Sequence, residues 1–385
     1  MKKIWSFSFY FLYYAAMASF IPFVVLFYQQ LGFNGVQIGL LTGVSPLVSL
    51  FAGPFLTGVA DSTRKHTLIM GAGILGAAVI VFLISLLSNF AAIFALVLIF
   101  NAIFSPVASL GDSATMTMLG EERAMYGRVR LGGTIGWGVF AQFAGLLLYR
   151  FGLTALFYVF SAVMIVNFFV STKFSFGDHE TRDAGRTGNL TFLTNRRWIV
   201  FLLSAFLGGL GSMSVAAYLS PYLTELGANG HQIGFAFTIA TLTELPVFFF
   251  GDILVRRLKP YGLFLVSLVL IGLRSIFFGI VDSVFLAILV QAIGGMFFPA
   301  MWSAGVAYAY ENAPDHLKST AQGVFGAASF GVGSAVGGLI CGILLERLGG
   351  RGMFMTLGIV ILTGLALIEG LKRMFPEKER VNAEI

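Results

Sequence analysis

Leu31-Gly32-Phe33-Asn34-Gly35-Val36-Gln37-Ile38-Gly39 occurs again 195 residues later as Leu226-Gly227-Ala228-Asn229-Gly230-His231-Gln232-Ile233-Gly234. Seven of the nine positions match. In each copy Asn-Gly supplies a turn and Gln-Ile-Gly opens a helix. A chance match in an apolar chain is the alternative. The shared Asn-Gly-x-Gln-Ile-Gly core, at corresponding places of the two halves, argues against it. The chain therefore reads as two parallel copies of one unit.

The nature of that unit follows from composition. Of 385 residues, 57% are hydrophobic and only 11% are charged, with 41 Phe and 47 Gly. Mean hydropathy is +0.89. A soluble domain carries about 25% charged residues, so soluble α/β and all-β folds are excluded and the solvent is lipid. A net charge of +6 spread over the whole chain forms no basic tract, which argues against nucleic acid as a partner. Cys341 stands alone and says nothing about redox compartment. His66, His179, His231 and His316 are scattered, and no metal-ligand cluster or cofactor motif is expected.

A helix needs about 20 apolar residues to cross the hydrocarbon. That window gives twelve spans, near 5–30, 36–60, 67–88, 90–117, 129–150, 152–172, 197–223, 231–255, 261–281, 283–310, 319–345 and 352–372. The polar stretch 173–196 separates six spans in residues 1–172 from six in 197–373, and 374–385 is a tail. Lys2 and Lys3 before an apolar run also have the look of a secretory signal, but the run continues to Phe27 and cleavage leaves an odd number of spans. With the N-terminus inside, twenty Lys and Arg collect on the cytoplasmic side, three lie outside (Arg150, Arg347, Arg351), and Arg274 lies within a span. Positive charge marks cytoplasmic loops, so both termini are expected in the cytoplasm of a cell-membrane protein. The fold class is all-α, twelve transmembrane helices in two pseudo-symmetric halves, and a monomer is expected.

Ionisable groups inside a membrane cost at least about 2.5–3.5 kcal/mol each and tend to be paired and functional. Four stand out: Asp112 in span 4, Arg130 early in span 5, Glu244 in span 8 and Arg274 in span 9. They divide into Asp112 with Arg130 and Glu244 with Arg274, one acid and one guanidinium per half. Structural ion pairs are the alternative, although burying a pair rarely repays its desolvation in stability alone. Gln142, Gln291, Asn101 and Asn167 are uncharged polar residues in spans, equally able to bond a solute hydroxyl or a neighbouring helix. Gln142 and Gln291 are expected in the solute site, and Tyr10, Tyr13, Tyr14 and Tyr28 are available to line a cavity.

Two stretches resemble a known family. Gly58-Val59-Ala60-Asp61-Ser62-Thr63-Arg64-Lys65 is similar to the Gly-x-x-x-Asp-x-x-x-Arg-Arg signature of the major facilitator superfamily, with Gly58 three rather than four residues before Asp61. The resemblance implies a gating latch in which Asp61 caps a neighbouring helix start, with Arg64 and Lys65 beside it. Asp112 followed by Tyr126-Gly127-Arg128-Val129-Arg130-Leu131-Gly132-Gly133-Thr134-Ile135-Gly136-Trp137 resembles the lactose permease branch and its phenylpropionate-permease-like and nucleoside-symporter relatives. It implies a solute site in which Asp112 and Arg130 hydrogen-bond the solute and Trp137 stacks on a ring. In that branch span 10 carries a Lys, a His and a Glu for proton coupling. Gln291, Gly294 and Phe297 stand at those places here. Coupling is therefore expected at Glu244, beside Arg274, or at Asp112.

Function is expected to be proton-coupled uptake of a small organic solute, a sugar before an aromatic carboxylate or a nucleoside. An efflux antiporter is the rival within transport, weakened by the absence of Pro between residues 107 and 220. A membrane sensor is the rival outside it. No enzyme is expected, since no nucleophile, metal or acid–base set gathers near one interface.

Overall fold

The computed structural model describes residues 2–177, 190–314 and 317–374. Residues 178–189 of the stretch read as a linker, and 375–385 of the tail, lie outside the described residues.

All regular structure among them is helical. Helix α1 spans Lys2–Phe20; Pro22 sits in a 3-10 turn, Ile21–Phe23, before α2 resumes over Val24–Gln30. Then come α3 Gly35–Thr63, α4 His66–Ile84, α5 Phe90–Leu119, α6 Tyr126–Phe151 and α7 Leu153–Ser171. The second half has α8 Arg196–Glu225, α9 Gly230–Ile280, α10 Val284–Gly294, α11 Phe297–Glu311, α12 Lys318–Gly326 and α13 Ser334–Met374. Nine helical stretches among the described residues are long and apolar enough to cross a bilayer. Two of these, Phe90–Phe151 and Lys318–Lys372, are divided near Gly120 and at Gly349, and α9 is divided at Lys259 just before Pro260. The helix order then follows the twelve spans read from the sequence.

The repeated nonapeptide has a local explanation. Gly32 (φ +77°) and Gly227 (φ +89°) take the left-handed conformation that ends α2 and α8. Asn34 then caps α3, its Oδ1 accepting from Gln37 N at 2.9 Å while Gln37 Oε1 accepts from Asn34 N at 3.0 Å. Asn229 and Gln232 form the same reciprocal box on α9, with both bonds at 3.0 Å.

Two seams join the halves, α3 on α13 and α6 on α9. Both seams are closest at the face that carries the repeated loops. A Cβ built on Gly35, Gly39 or Gly43 lies 2.3, 2.7 or 2.6 Å from the carbonyl oxygen of Gly342, Leu339 or Ala335, so only glycine allows this approach. Gly145, Gly230 and Gly234 make the other seam, with backbone oxygens at 2.4–2.6 Å from such a Cβ. Toward the opposite face, where the helix ends carry Arg64, Lys65, Arg123 and Arg256, Gly58 and Gly323 meet nothing within 4 Å. The buried core divides the same way. One cluster unites the first half with the repeat-face ends of α8, α9 and α13, including Tyr218, Phe237 and Cys341. A second, around Trp198, Phe201, Phe264 and Phe325, belongs to the second half alone. The halves are thus joined at the repeat face and splayed toward the basic face.

Candidate functional site

Where the seams part, about midway along the helices, a cavity of about 730 Å³ lies between the halves. Its wall is mostly aromatic and aliphatic, with Phe20, Phe100, Phe237, Phe298 and Phe330 among the larger side chains. Polar groups reach it from both halves: Thr42, Ser45, Asn101 and Trp137 from the first, and Thr241, Glu244, Arg274 and Gln291 from the second.

Arg274 is 6% exposed, and its Nη1 donates to the Gly294 carbonyl at 3.1 Å. A Cβ at Gly294 would lie 2.2 Å from Arg274 Cδ, so the missing side chain is what admits the guanidinium. Arg274 Nε and Gln291 Oε1 are buried and have no hydrogen-bond partner among the described residues. A buried polar atom left unpaired costs about 1–3 kcal/mol, and here two such atoms belong to side chains on one cavity wall. Glu244 lines the same wall, yet no ion pair within 4 Å joins it to Arg274. This acid and guanidinium are therefore neighbours with spare hydrogen-bonding capacity.

The first-half pair is arranged differently. Asp112 Oδ1 accepts from the Tyr10 hydroxyl at 2.6 Å and from the Tyr126 hydroxyl at 2.9 Å. Arg130 donates from Nη2 to the Tyr14 hydroxyl at 2.9 Å, and its guanidinium lies 5.2 and 5.3 Å from the ring centres of Tyr10 and Tyr14. Tyrosines thus stand where a direct Asp112–Arg130 bond was expected, and neither charge is part of the cavity lining. Arg130 lies seven residues, two helical turns, before Trp137 on α6, so the two share a face with Arg130 nearer the basic end. Trp137 does line the cavity. Gln142 does not; its Oε1 is buried without a partner and its backbone packs against Gly234 at the α6–α9 seam.

At the basic face Asp61 bonds His66 Nε2 at 2.8 Å, and the His66 ring stacks on Phe176. Arg64 takes a left-handed conformation (φ +57°) where α3 ends. Neither Arg64 nor Lys65 bonds Asp61, and Gly58 is open. The sequence reading assigned no role to His66, although its place five residues after Asp61 was available as a signal. It also missed Thr241, one turn before Glu244 on the same helix.

The family described as "MFS_1 like family" matches residues 4–356. Maltose permease of Geobacillus stearothermophilus is 24% identical over 367 residues, covering 94% of this chain and 92% of that protein. The probable 3-phenylpropionic acid transporter of Escherichia coli (strain K12) is also 24% identical over 367 residues, covering 93% and 95%. Among solved structures, the nucleoside transporter NupG superposes with a TM-score of 0.84 at 18% identity, covering 98% of this chain and 100% of that one.

Proposed function

The chain belongs to the MFS_1 like family and is an integral membrane transporter, not an enzyme, and from that premise we propose that it takes up a small ring-bearing organic solute, a sugar, together with a proton. Residues 1–172 and 197–373 are the two moving halves, working as a monomer in the cell membrane. The basic face is cytoplasmic and the repeat face external, in keeping with the distribution of Lys and Arg.

The observation that carries this reading is the polar wall of the cavity. Glu244, Arg274 and Gln291 hold unused donors and acceptors on one side, and Trp137 lies in the same lining. An acid beside a guanidinium suits a neutral solute with several hydroxyls, and an aromatic face suits its ring. Asp112 and Arg130 stand below Trp137 toward the basic face, where they meet the solute on its way to the cytoplasm. The proton is carried by Glu244: when Arg274 approaches, the carboxylate is held ionised, and when it withdraws, the isolated group in a low dielectric takes up a proton. Asp61, with Gly58, Arg64 and Lys65, closes the basic face in the other half of the cycle.

A nucleoside is the second reading, favoured by the large apolar share of the wall, which matches a flat base better than a free sugar. Uptake of labelled sugars, nucleosides and aromatic carboxylates into vesicles with an imposed inward proton gradient decides between them. Sugar accumulation is expected, with Trp137→Leu raising KM about tenfold, the equivalent of about 1.4 kcal/mol of lost ring contact. Accumulation of a nucleoside alone selects the second reading, and accumulation of a carboxylate alone overturns both.

A further inference from the structure

The first turn of α3 contains no acidic residue. An acid is supplied from the other half of the molecule: Gly35 N, at the start of α3, donates to Glu346 Oε2 on α13 at 2.9 Å. Gly35 is what allows it, since a Cβ there would lie 2.7 Å from both Cβ and Oε2 of Glu346. The repeat-related position lacks this arrangement. Gly230, at the start of α9, packs on Gly145 O and Tyr149 N, and among the described residues no carboxylate bonds its N–H. Two further hydrogen bonds cross between the halves at this face among the described residues, Thr42 with Tyr218 at 2.8 Å and Thr238 to Gly138 O at 2.8 Å. Neither brings a carboxylate to a helix end.

We propose that Glu346 is the charged latch of the repeat-face gate, closing on the N-terminus of α3 in each cycle and setting the ratio between the two end states of the transporter. A helix start carries about half a positive charge on its free N–H groups, and a carboxylate placed there is stabilised. When α3 leaves α13, both groups return to water and that stabilisation is lost. The latch therefore favours only the state closed at the repeat face. Glu346 is exposed, so screening limits its effect to about a twofold to fivefold shift in the equilibrium. The inference rests on movement between the halves and holds whichever solute is carried.

The test uses the full-length transporter in sided vesicles, with Cys341→Ser removing the native thiol and Ser45→Cys placing a reporter on the cavity wall. A membrane-impermeant maleimide is presented at either face. Replacing Glu346 by Gln, Ala and Lys is expected to raise labelling from the repeat face in that order, by about twofold to fivefold for Ala. Labelling from the basic face should not rise, since the two end states share one population. Glu346→Asp, which keeps the charge but shortens the reach, should lie between wild type and Ala. KM for solute offered at the repeat face should fall along the same series, because a larger fraction of molecules is open to it. Labelling that is unchanged across the series, or that rises at both faces together, overturns the proposal. Rates are taken per inserted molecule, so a variant that inserts poorly is still informative, and the Asp variant tests the latch independently.

Discussion

Gly294 has no side chain, and Arg274 occupies the space that one would fill. Adding a methyl group there forces the guanidinium away from the cavity wall or the two helices apart, an overpacking that costs about 1–3 kcal/mol. Gly294→Ala should therefore lower uptake at least about fivefold at unchanged membrane insertion. Gly262→Ala, whose nearest neighbour is Leu258 Cβ at 4.0 Å, should transport like wild type. Initial uptake rates of the two variants, normalised to inserted protein, check this, and equal rates would remove Arg274 from the site. At this scale the sequence was readable wherever a charge sat in an apolar stretch. Glu244 and Arg274 stand out by cost alone, and both line the cavity. What surrounds such a charge was not readable. Asp112 and Arg130 are separated by three tyrosines, two from α1 and one from the start of α6. Spacing along α5 and α6 carries no information about which side chains of α1 fall between them.

At the level of helices, the repeat was the most informative signal, because its cap, its turn and its packing glycines all belong to one short motif. The capping boxes follow from Asn and Gln three residues apart, and local chemistry is enough to read them. The partners of the glycines are a different matter. Gly35, Gly39 and Gly43 answer to α13, and Gly234 answers to α6, contacts that only the closed assembly defines. Breaks were likewise legible in part. Pro260 signals the division of α9 at Lys259, whereas the π turn Ala327–Gly333 between α12 and α13 has only its small residues as a hint. The seams yield their own prediction. A Cβ on Gly234 lies 2.6 Å from Ala141 O and 3.0 Å from the Cα of Gly145, so Gly234→Ala wedges the α6–α9 seam apart. Solute counterflow, which needs this face to close in every cycle, should slow at least about fivefold, the lower end of an overpacking cost of about 1–3 kcal/mol. Counterflow at the wild-type rate would mean that the seam is not part of the moving gate.

For the molecule as a whole, the chain is a bundle closed at one face and parted at the other, with its cavity where the seams end. Charge in that cavity is what the proposed cycle uses to link solute movement to protons. The carboxylate of Glu244 is ionised in that cycle when Arg274 is near and protonated when it is not, so solute cannot complete a turnover without a proton. The direct measurement is the pH of a lightly buffered medium outside de-energised vesicles when sugar is added. Wild-type protein should make the medium more alkaline as sugar enters, while Glu244→Gln should exchange labelled sugar across the membrane with no change in external pH. Sugar entry through the wild-type protein without proton uptake, or proton uptake undiminished in Glu244→Gln, would contradict coupling through Glu244.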